Sequence, residues 1–334
     1  MRRATLPTIY SVALVAAAIV AASPLPAGAE VAVKKAGDGA TVTIDGKPFA
    51  TYVIKNGHQP VIWPIVGPYG QAMTRQYPLG ELLPTERDDH PHHRSLWFNH
   101  GLMNGTDFWK EPEEGKPDGQ IVHREFTELK SGDTATIVAK NDWTSDGKKL
   151  AEDVRTIEFG ADEHGRWIDF TVDMTAVGGE LMLGDTKEGC FGVRVPGTMD
   201  VDAKLGGQIR TSRGLKDGDA WGRAAEWVDY HGVVDGKPAG ITIFDMPDSF
   251  RHPAKWHVRT YGLFAVNPFG QEEFPKSDDP EQGDAKLAEG EKLRLHYRVL
   301  FYGGEKSAET LADIYKEYRG DNHDGTTDTT NIAE

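Results

Sequence analysis

The chain has 334 residues, 37 Lys and Arg against 52 Asp and Glu, a formal net charge of −15 and one cysteine. So acidic a surface repels nucleic-acid phosphates and anionic lipid headgroups, which leaves a neutral polar ligand or a cation as the expected partner. A lone cysteine excludes an intramolecular disulfide, so stability must come from core burial, which a chain of this length can supply.

Arg2 and Arg3 precede an almost unbroken apolar run from Ile9 to Ala22, and Ala27-Gly28-Ala29 follows with small residues at cleavage spacing. Residues 1–29 therefore read as a signal peptide, the alternative being a retained N-terminal anchor. The run is short for a bilayer span and no second one follows, so the mature chain is expected off the membrane, in the periplasm or outside the cell. Loss of Arg2 and Arg3 takes the charge two units lower, to −17.

From Thr41 onward the pattern has a period of two, broken by turns at Asp45-Gly46, Gly178-Gly179 and Asp235-Gly236. Short runs at Thr41–Ile44, Thr134–Ala139, Arg155–Phe159, Phe191–Val195 and Ile241–Phe244 read as strands. Ile168, Phe170, Val172 and Met174 alternate with Trp167, Asp169, Thr171 and Asp173. Leu293, Leu295, Tyr297, Val299 and Phe301 do the same against Arg294, His296 and Arg298. Many short strands at this spacing predict an all-β, antiparallel sandwich or barrel. One helix is expected, Ser307 to Arg319, with Ser307 as N-cap, Gly320 beyond, and Ala308, Leu311, Ile314, Tyr315 and Tyr318 on its apolar face. It should pack against the sandwich edge. Residues 30–320 are expected to form a single domain, and the polar, aperiodic residues 321–334 a disordered tail.

Chemistry is densest between Thr85 and Asp107, where His90, His92, His93 and His100 crowd among Asp88, Asp89, Arg94 and Asn99. Imidazoles titrate near neutrality and bind divalent metals, so this cluster suits acid–base work or a metal held by His90 and His92. In an extended segment His90 and His92 face one side and His93 the other. The bland alternative is a hydrogen-bonded loop that pins a long connection. Further on, Glu188 and Arg194 read either as a simple ion pair or as a general base beside a guanidinium that holds substrate oxygens. Between Glu226 and Gly270, Tyr230, His252, Trp256 and Asn267 combine rings with planar polar groups, as sugar recognition requires, although a given Trp is more often core. Cys190, flanked by Gly189 and Phe191, reads as a buried thiol.

Asp89-His-Pro-His-His-Arg94 with Leu96-Trp-Phe, then Asn104-Gly-x-Asp-Phe-Trp109, Trp227-Val-Asp-Tyr230-x-Gly232, Trp256-x-x-Arg-x-Tyr261 and Asn267-Pro-Phe-Gly270, resemble the secreted bacterial PmoA-like family of unknown function. Despite that label, the chain has none of the spanning segments of the membrane monooxygenase subunit. The resemblance covers roughly residues 42–303. It implies a β-supersandwich of the galactose-mutarotase type and a link to sugar catabolism beside sugar-dehydrogenase-like oxidoreductases; it brings no established reaction. The combined reading is an exported carbohydrate-active hydrolase, lyase or epimerase. His90 and His92 supply acid–base chemistry or hold a divalent metal, Glu188 is the base, and Arg94 and Arg194 neutralise developing charge. Asp89, His93, Asn99, Tyr230, His252, Trp256 and Asn267 line the pocket. The alternatives are a non-catalytic sugar-binding protein and a structural metal-bound scaffold.

Overall fold

Successive side chains of a strand point to opposite faces, so apolar residues at every second position cover one layer of core. The computed structural model describes residues 28–271, 273–274 and 283–320. Most of the expected signal peptide, residues 1–27, and the expected tail lie outside the described residues.

In chain order the first strands are β1 (Val31–Ala36), β2 (Gly39–Ile44), β3 (Lys47–Asn56), β4 (Gln59–Ile65), β5 (Leu96–His100) and β6 (Gly119–Lys130). Next come β7 (Ala135–Ser145), β8 (Lys148–Asp162), β9 (Gly165–Ala176), β10 (Leu181–Leu183), β11 (Gly189–Arg194) and β12 (Gln208–Thr211). The last are β13 (Trp227–Val234), β14 (Lys237–Asp245), β15 (Lys255–Val258), β16 (Leu263–Asn267), β17 (Ala285–Leu287) and β18 (Lys292–Gly303), followed by the helix α1 (Ala308–Tyr318).

Two eight-stranded antiparallel sheets result, ordered β1-β2-β3-β4-β5-β11-β16-β15 and β12-β13-β14-β18-β9-β8-β7-β6, with β10 and β17 as a separate pair. Their inner faces interlock through rings. Phe49 meets Phe159 and Phe301 edge-on at 6.0 and 6.3 Å. Phe98 meets Trp143 at 5.8 Å, and Phe191 packs on Phe170 and Tyr297 at 5.1 and 5.0 Å. The expected antiparallel sandwich is thus observed, and every run named from the sequence falls on a strand, Thr134 and Val195 lying one residue outside β7 and β11. Among the described residues no helix is long and apolar enough to cross a membrane.

Helix α1 forms as expected, its Ser307 hydroxyl accepting from Thr310 N at 3.1 Å. Its place differs. Leu311, Ile314 and Tyr315 bury against Trp227, Phe244, Leu300 and Tyr302, and the Tyr315 ring lies parallel to Phe244 at 5.9 Å. These partners point outward from β13, β14 and β18, inside the second sheet. The helix therefore covers a face and not the sandwich edge, because that face carries an apolar patch only a packed element can hide. Ala308, expected on its apolar side, is exposed.

His296, on the outer face of β18, lies 2.6 Å from Asp169 and 2.7 Å from Asp248. Burial alone would lower its pKa, but bonding to Asp169 and Asp248 outweighs burial and the net shift is upward. A raised folded-state pKa contributes stability that is complete below the unfolded value of about 6.5 and is lost as pH rises through the folded one. The melting-temperature gap between wild type and His296→Gln should therefore be widest in mild acid and narrow with rising pH. A gap that widens above neutrality would contradict this.

Candidate functional site

Across the outer face of the first sheet, Val61, Trp97, Gly192, Ala265 and His257 are successive register partners on β4, β5, β11, β16 and β15. A Cβ at Gly192 would lie 2.6 Å from the Trp97 ring, so the missing side chain is what lets the indole lie across β11. On that indole stands a column of nearly parallel rings. His93 stacks with Trp97 at 5.4 Å and 9°, His90 with His93 at 4.8 Å and 6°, and Tyr261 with His90 at 5.2 Å and 8°. His92 meets His93 and His90 edge-on at 4.5 and 5.6 Å. Trp109 stands edge-on to Trp97 and His93 and runs nearly parallel to His257 at 6.4 Å.

The histidines reach these places because their segment turns. His93 N donates to His90 O at 3.0 Å, and His90 and Ser95 adopt left-handed φ values of 46° and 59°. Such conformations cost non-glycine residues roughly 1–2 kcal/mol each, so something must impose them. Arg75, buried to 1% exposure, does so. Its guanidinium donates to the carbonyls of Arg87, Asp89, His90 and His93 and to Asp89 Oδ1, over 2.8–3.2 Å. The turn overrides the strand parity expected here: His90 and His93 share one stack and His92 meets it from the side.

Asp89 anchors the electrostatics. Its Oδ1 accepts from Arg75 and from Arg194 at 2.8 Å, and its Oδ2 lies 3.3 Å from His90 Nδ1. Burial opposes the charge, but Arg194, His90 and Arg75 together hold the carboxyl below its ordinary range. The His90 imidazole turns Nδ1 to Asp89, and its side chain is 41% exposed. Arg194 Nη1 lies 3.0 Å from His93 Nδ1. A guanidinium can only donate, so the network assigns the His93 proton to Nε2. Burial first, then neighbouring cations, holds His92 at about 4 and His257 at about 3, so both are neutral at neutral pH. His257 Nδ1 donates to Lys187 O at 2.7 Å.

Glu188 follows directly on that carbonyl, beside the end of β5, where Gly101 N donates to its backbone oxygen at 2.6 Å. Burial raises its carboxyl pKa, Lys187 and Lys110 pulling the other way; the Lys187 ammonium is 4.0 Å away. Burial raises the Tyr261 hydroxyl, Arg259 and Arg194 pulling it down and Glu188 and Asp89 adding to the rise. Among the described residues, Asn99, on the same face of β5 as Trp97, has no partner at either end of its amide, and the indole N–H groups of Trp97 and Trp109 have none either. Buried polar groups of this kind call for a ligand or water to satisfy them.

A family model described as "Family of unknown function (DUF6807)" matches residues 39–316. The chain belongs to DUF6807. That description, and not the PmoA-like name, is the one the match carries. No curated protein matches the DUF6807 chain. Among solved structures it is similar to a galactose mutarotase-like protein from Lactobacillus casei ATCC 334, at 10% identity and TM-score 0.38 over 81% of this chain and 100% of that one. It is also similar to a glycoside hydrolase family 97 enzyme from Pseudoalteromonas sp. strain K8, at 10% identity and TM-score 0.33, and to the heparan sulfate lyase HepC from Pedobacter heparinus, at 8% and 0.35. The matches cover 83% and 84% of the DUF6807 chain but only 34% and 36% of those longer chains.

Asp89, His90, His92, His93 and Arg194 meet at the ring column of the DUF6807 chain, while Asn99 lies on the Trp97 face of β5 and Glu188 follows the Lys187 carbonyl that His257 holds. Five other expectations are corrected. Arg94 is not left for a substrate oxygen: it is committed to Glu111, at 3.1 and 2.6 Å, and to Asn56, while His58 lies 3.2 Å from the same carboxylate. Trp256 lies in the inter-sheet core and donates to Ala225 O at 2.9 Å. Tyr230 also points inward, its hydroxyl 3.1 Å from Thr260 O. Asn267 spans Thr186 O and Phe269 N and so fixes the segment that presents Glu188. His252 sits with Asp245 and the Tyr315 hydroxyl of α1, at 3.1 and 3.4 Å, and takes no part in the composite site. For the metal, no third ligand atom joins His90 and His92 among the described residues. The one cluster of three donors there is Glu163, His164 and Glu317. Trp97, Trp109, His257, Tyr261 and Arg75 belong to the site without having been singled out for it; strand parity beside Trp256 was the available signal for His257.

Proposed function

We propose that this surface is the proton-transfer site of an exported carbohydrate-active enzyme of the epimerase or lyase kind. The observation that carries the reading is the Asp89–His90 pair on the ring column; Glu188, its carboxyl raised by burial, follows the Lys187 carbonyl that His257 holds. Asp89 keeps the His90 proton on Nδ1, so Nε2 is the base; Glu188, biased toward its protonated form, is the acid. Ring faces suit the C–H surface of a sugar, and the half-exposed His90 suits its hydroxyls. Hydrolysis of glycosides ordinarily takes two free carboxyls, and here Asp89 is held on both oxygens, which favours proton abstraction over glycosidic displacement.

A binding protein without turnover would use the same rings. The two readings separate on His90→Ala. Neutral and acidic mono- and oligosaccharides would be offered to wild type and variant, with binding followed by calorimetry and conversion by proton NMR. Conversion by wild type that is lost in the variant, with affinity changed only a few-fold, supports the enzyme. Saturable binding without conversion leaves the binding protein, and absence of both removes the carbohydrate reading.

A further inference from the structure

A second polar site lies on the outer face of the other sheet, between strand ends that the first site does not touch. Gln208, His231, Gly240 and Tyr302 are successive register partners on β12, β13, β14 and β18, and Arg210, Asp229 and Thr242 form the adjacent row. By parity both rows face outward, opposite to Tyr230. A Cβ at Gly240 would fall 2.2 Å from the Tyr302 ring, so the glycine is what admits that ring. The result is a cavity of about 310 Å³ whose lining includes Gln208, Arg210, His231, Tyr302, Glu305 and Lys306. That volume is at the small end of ligand pockets, the size of a monosaccharide.

Charge within it is unevenly matched. Asp229 is fully buried and already engaged: Arg210 Nε at 2.8 Å, Thr242 Oγ1 at 2.7 Å and the Tyr302 hydroxyl at 2.9 Å donate to it. His231 Nδ1 lies 2.8 Å from Asp229 Oδ2, off the line of an ideal hydrogen bond, with a quarter of the side chain exposed. Arg210 also donates to Lys306 O. Lys306 is different. Its ammonium lies 5.4 Å from the centre of the Tyr302 ring, and among the described residues no carboxylate comes within ion-pair distance of it. Glu305 is solvent-exposed and makes no ion pair with it. Burial lowers the Lys306 pKa and outweighs the pull of the Asp162 and Asp229 carboxylates, neither of which comes within ion-pair distance of it.

We infer that this cavity binds a carboxylate-bearing ligand of monosaccharide size, with Lys306 as the counter-ion of the carboxylate and His231, Gln208 and Tyr302 beside its polar groups. The inference does not rest on the reading of the first site. An acidic sugar is the fitting class because Asp229 already takes Arg210, Thr242 and Tyr302 and no carboxylate among the described residues pairs with Lys306, while Gln208 and His231 add neutral donors and acceptors and Glu305 stays exposed at the wall.

Binding of glucuronate, galacturonate, glucose and inorganic phosphate to the full chain would be measured by calorimetry, with Lys306→Met and Lys306→Arg alongside and His90→Ala as a control at the other site. Saturable binding of a uronate, weakened roughly 10- to 100-fold by Lys306→Met and largely restored by Lys306→Arg, is expected from loss of one charge-assisted contact. Binding should persist in His90→Ala. Phosphate or glucose binding in place of uronates would overturn the carboxylate assignment. Uronate binding indifferent to Lys306→Met, or absent from wild type, would overturn the site. Thermal melts of both variants exclude misfolding as the cause, since an exchange at a cavity wall should leave the melt close to wild type.

Discussion

Arg75→Met is expected to destabilise the protein by about 3–5 kcal/mol and to abolish any activity of the ring column. The guanidinium is almost wholly buried and serves four carbonyls and one carboxylate at once. Removing it takes a donor from each of those acceptors, leaving His90 O with His93 N and Asp89 with Arg194 and His90. The left-handed turn at His90 then keeps only the His93 N–His90 O bond and the Asp89 contact, too few to offset its strain, and the column loses its two middle rings. Burial and the nearby Arg194 already bring the Arg75 pKa down to about 10, a sign of how much charge is packed here. Lys at this position keeps the charge but not the planar fork, so Arg75→Lys should fall between methionine and wild type. Urea denaturation measures this directly. A loss below about 1 kcal/mol, the worth of one ordinary hydrogen bond, would mean that Arg75 does not hold the loop.

The second large effect is on turnover. Glu188→Gln should lower the rate about 10²–10⁴-fold if Glu188 is the acid of the proposed reaction. It also carries a pH signature. A carboxyl whose pKa is raised by burial gives up its proton late, so wild-type activity should fall as pH rises through that value, and the glutamine variant should lose that limb. Stability should move the other way. The folded state disfavours the Glu188 charge, so at neutral pH the neutral amide is expected to be no less stable than wild type. Slower turnover in an equally stable or firmer protein is the mark of a functional group held at some cost to folding. An unchanged rate and pH profile would reduce Glu188 to a structural residue.

Much of this was legible from one sequence. Alternation such as Ile168, Phe170, Val172 and Met174 predicts strands because a half-buried strand needs one apolar face, and each of these residues is buried. The helix was legible from its cap and its 3.6-residue stripe. The cluster of Asp89 and the histidines stood out by composition alone. Parity was not legible where neighbouring residues were both plausible on either face. In Trp256-His257 the indole turns into the core and the imidazole toward the site; in Tyr230-His231 the phenol turns inward and the imidazole lines the second cavity. A strand covered on both sides carries no clean hydrophobic alternation, and a one-residue choice flips every side chain.

The sequence by itself determined that the chain is antiparallel β, where most strands run, that one capped helix follows them, and which segment is richest in chemistry. These are local properties, set by period, turn residues and composition. Only the tertiary structure decided that His90 and His93 stack while Arg94 serves Glu111, that Arg75 holds the loop, and that Glu188 follows the carbonyl His257 holds while His252 turns to Asp245. Each of those outcomes depends on pairing residues distant in the chain, through strand order and a buried guanidinium, and no local pattern encodes which distant partner a side chain will meet.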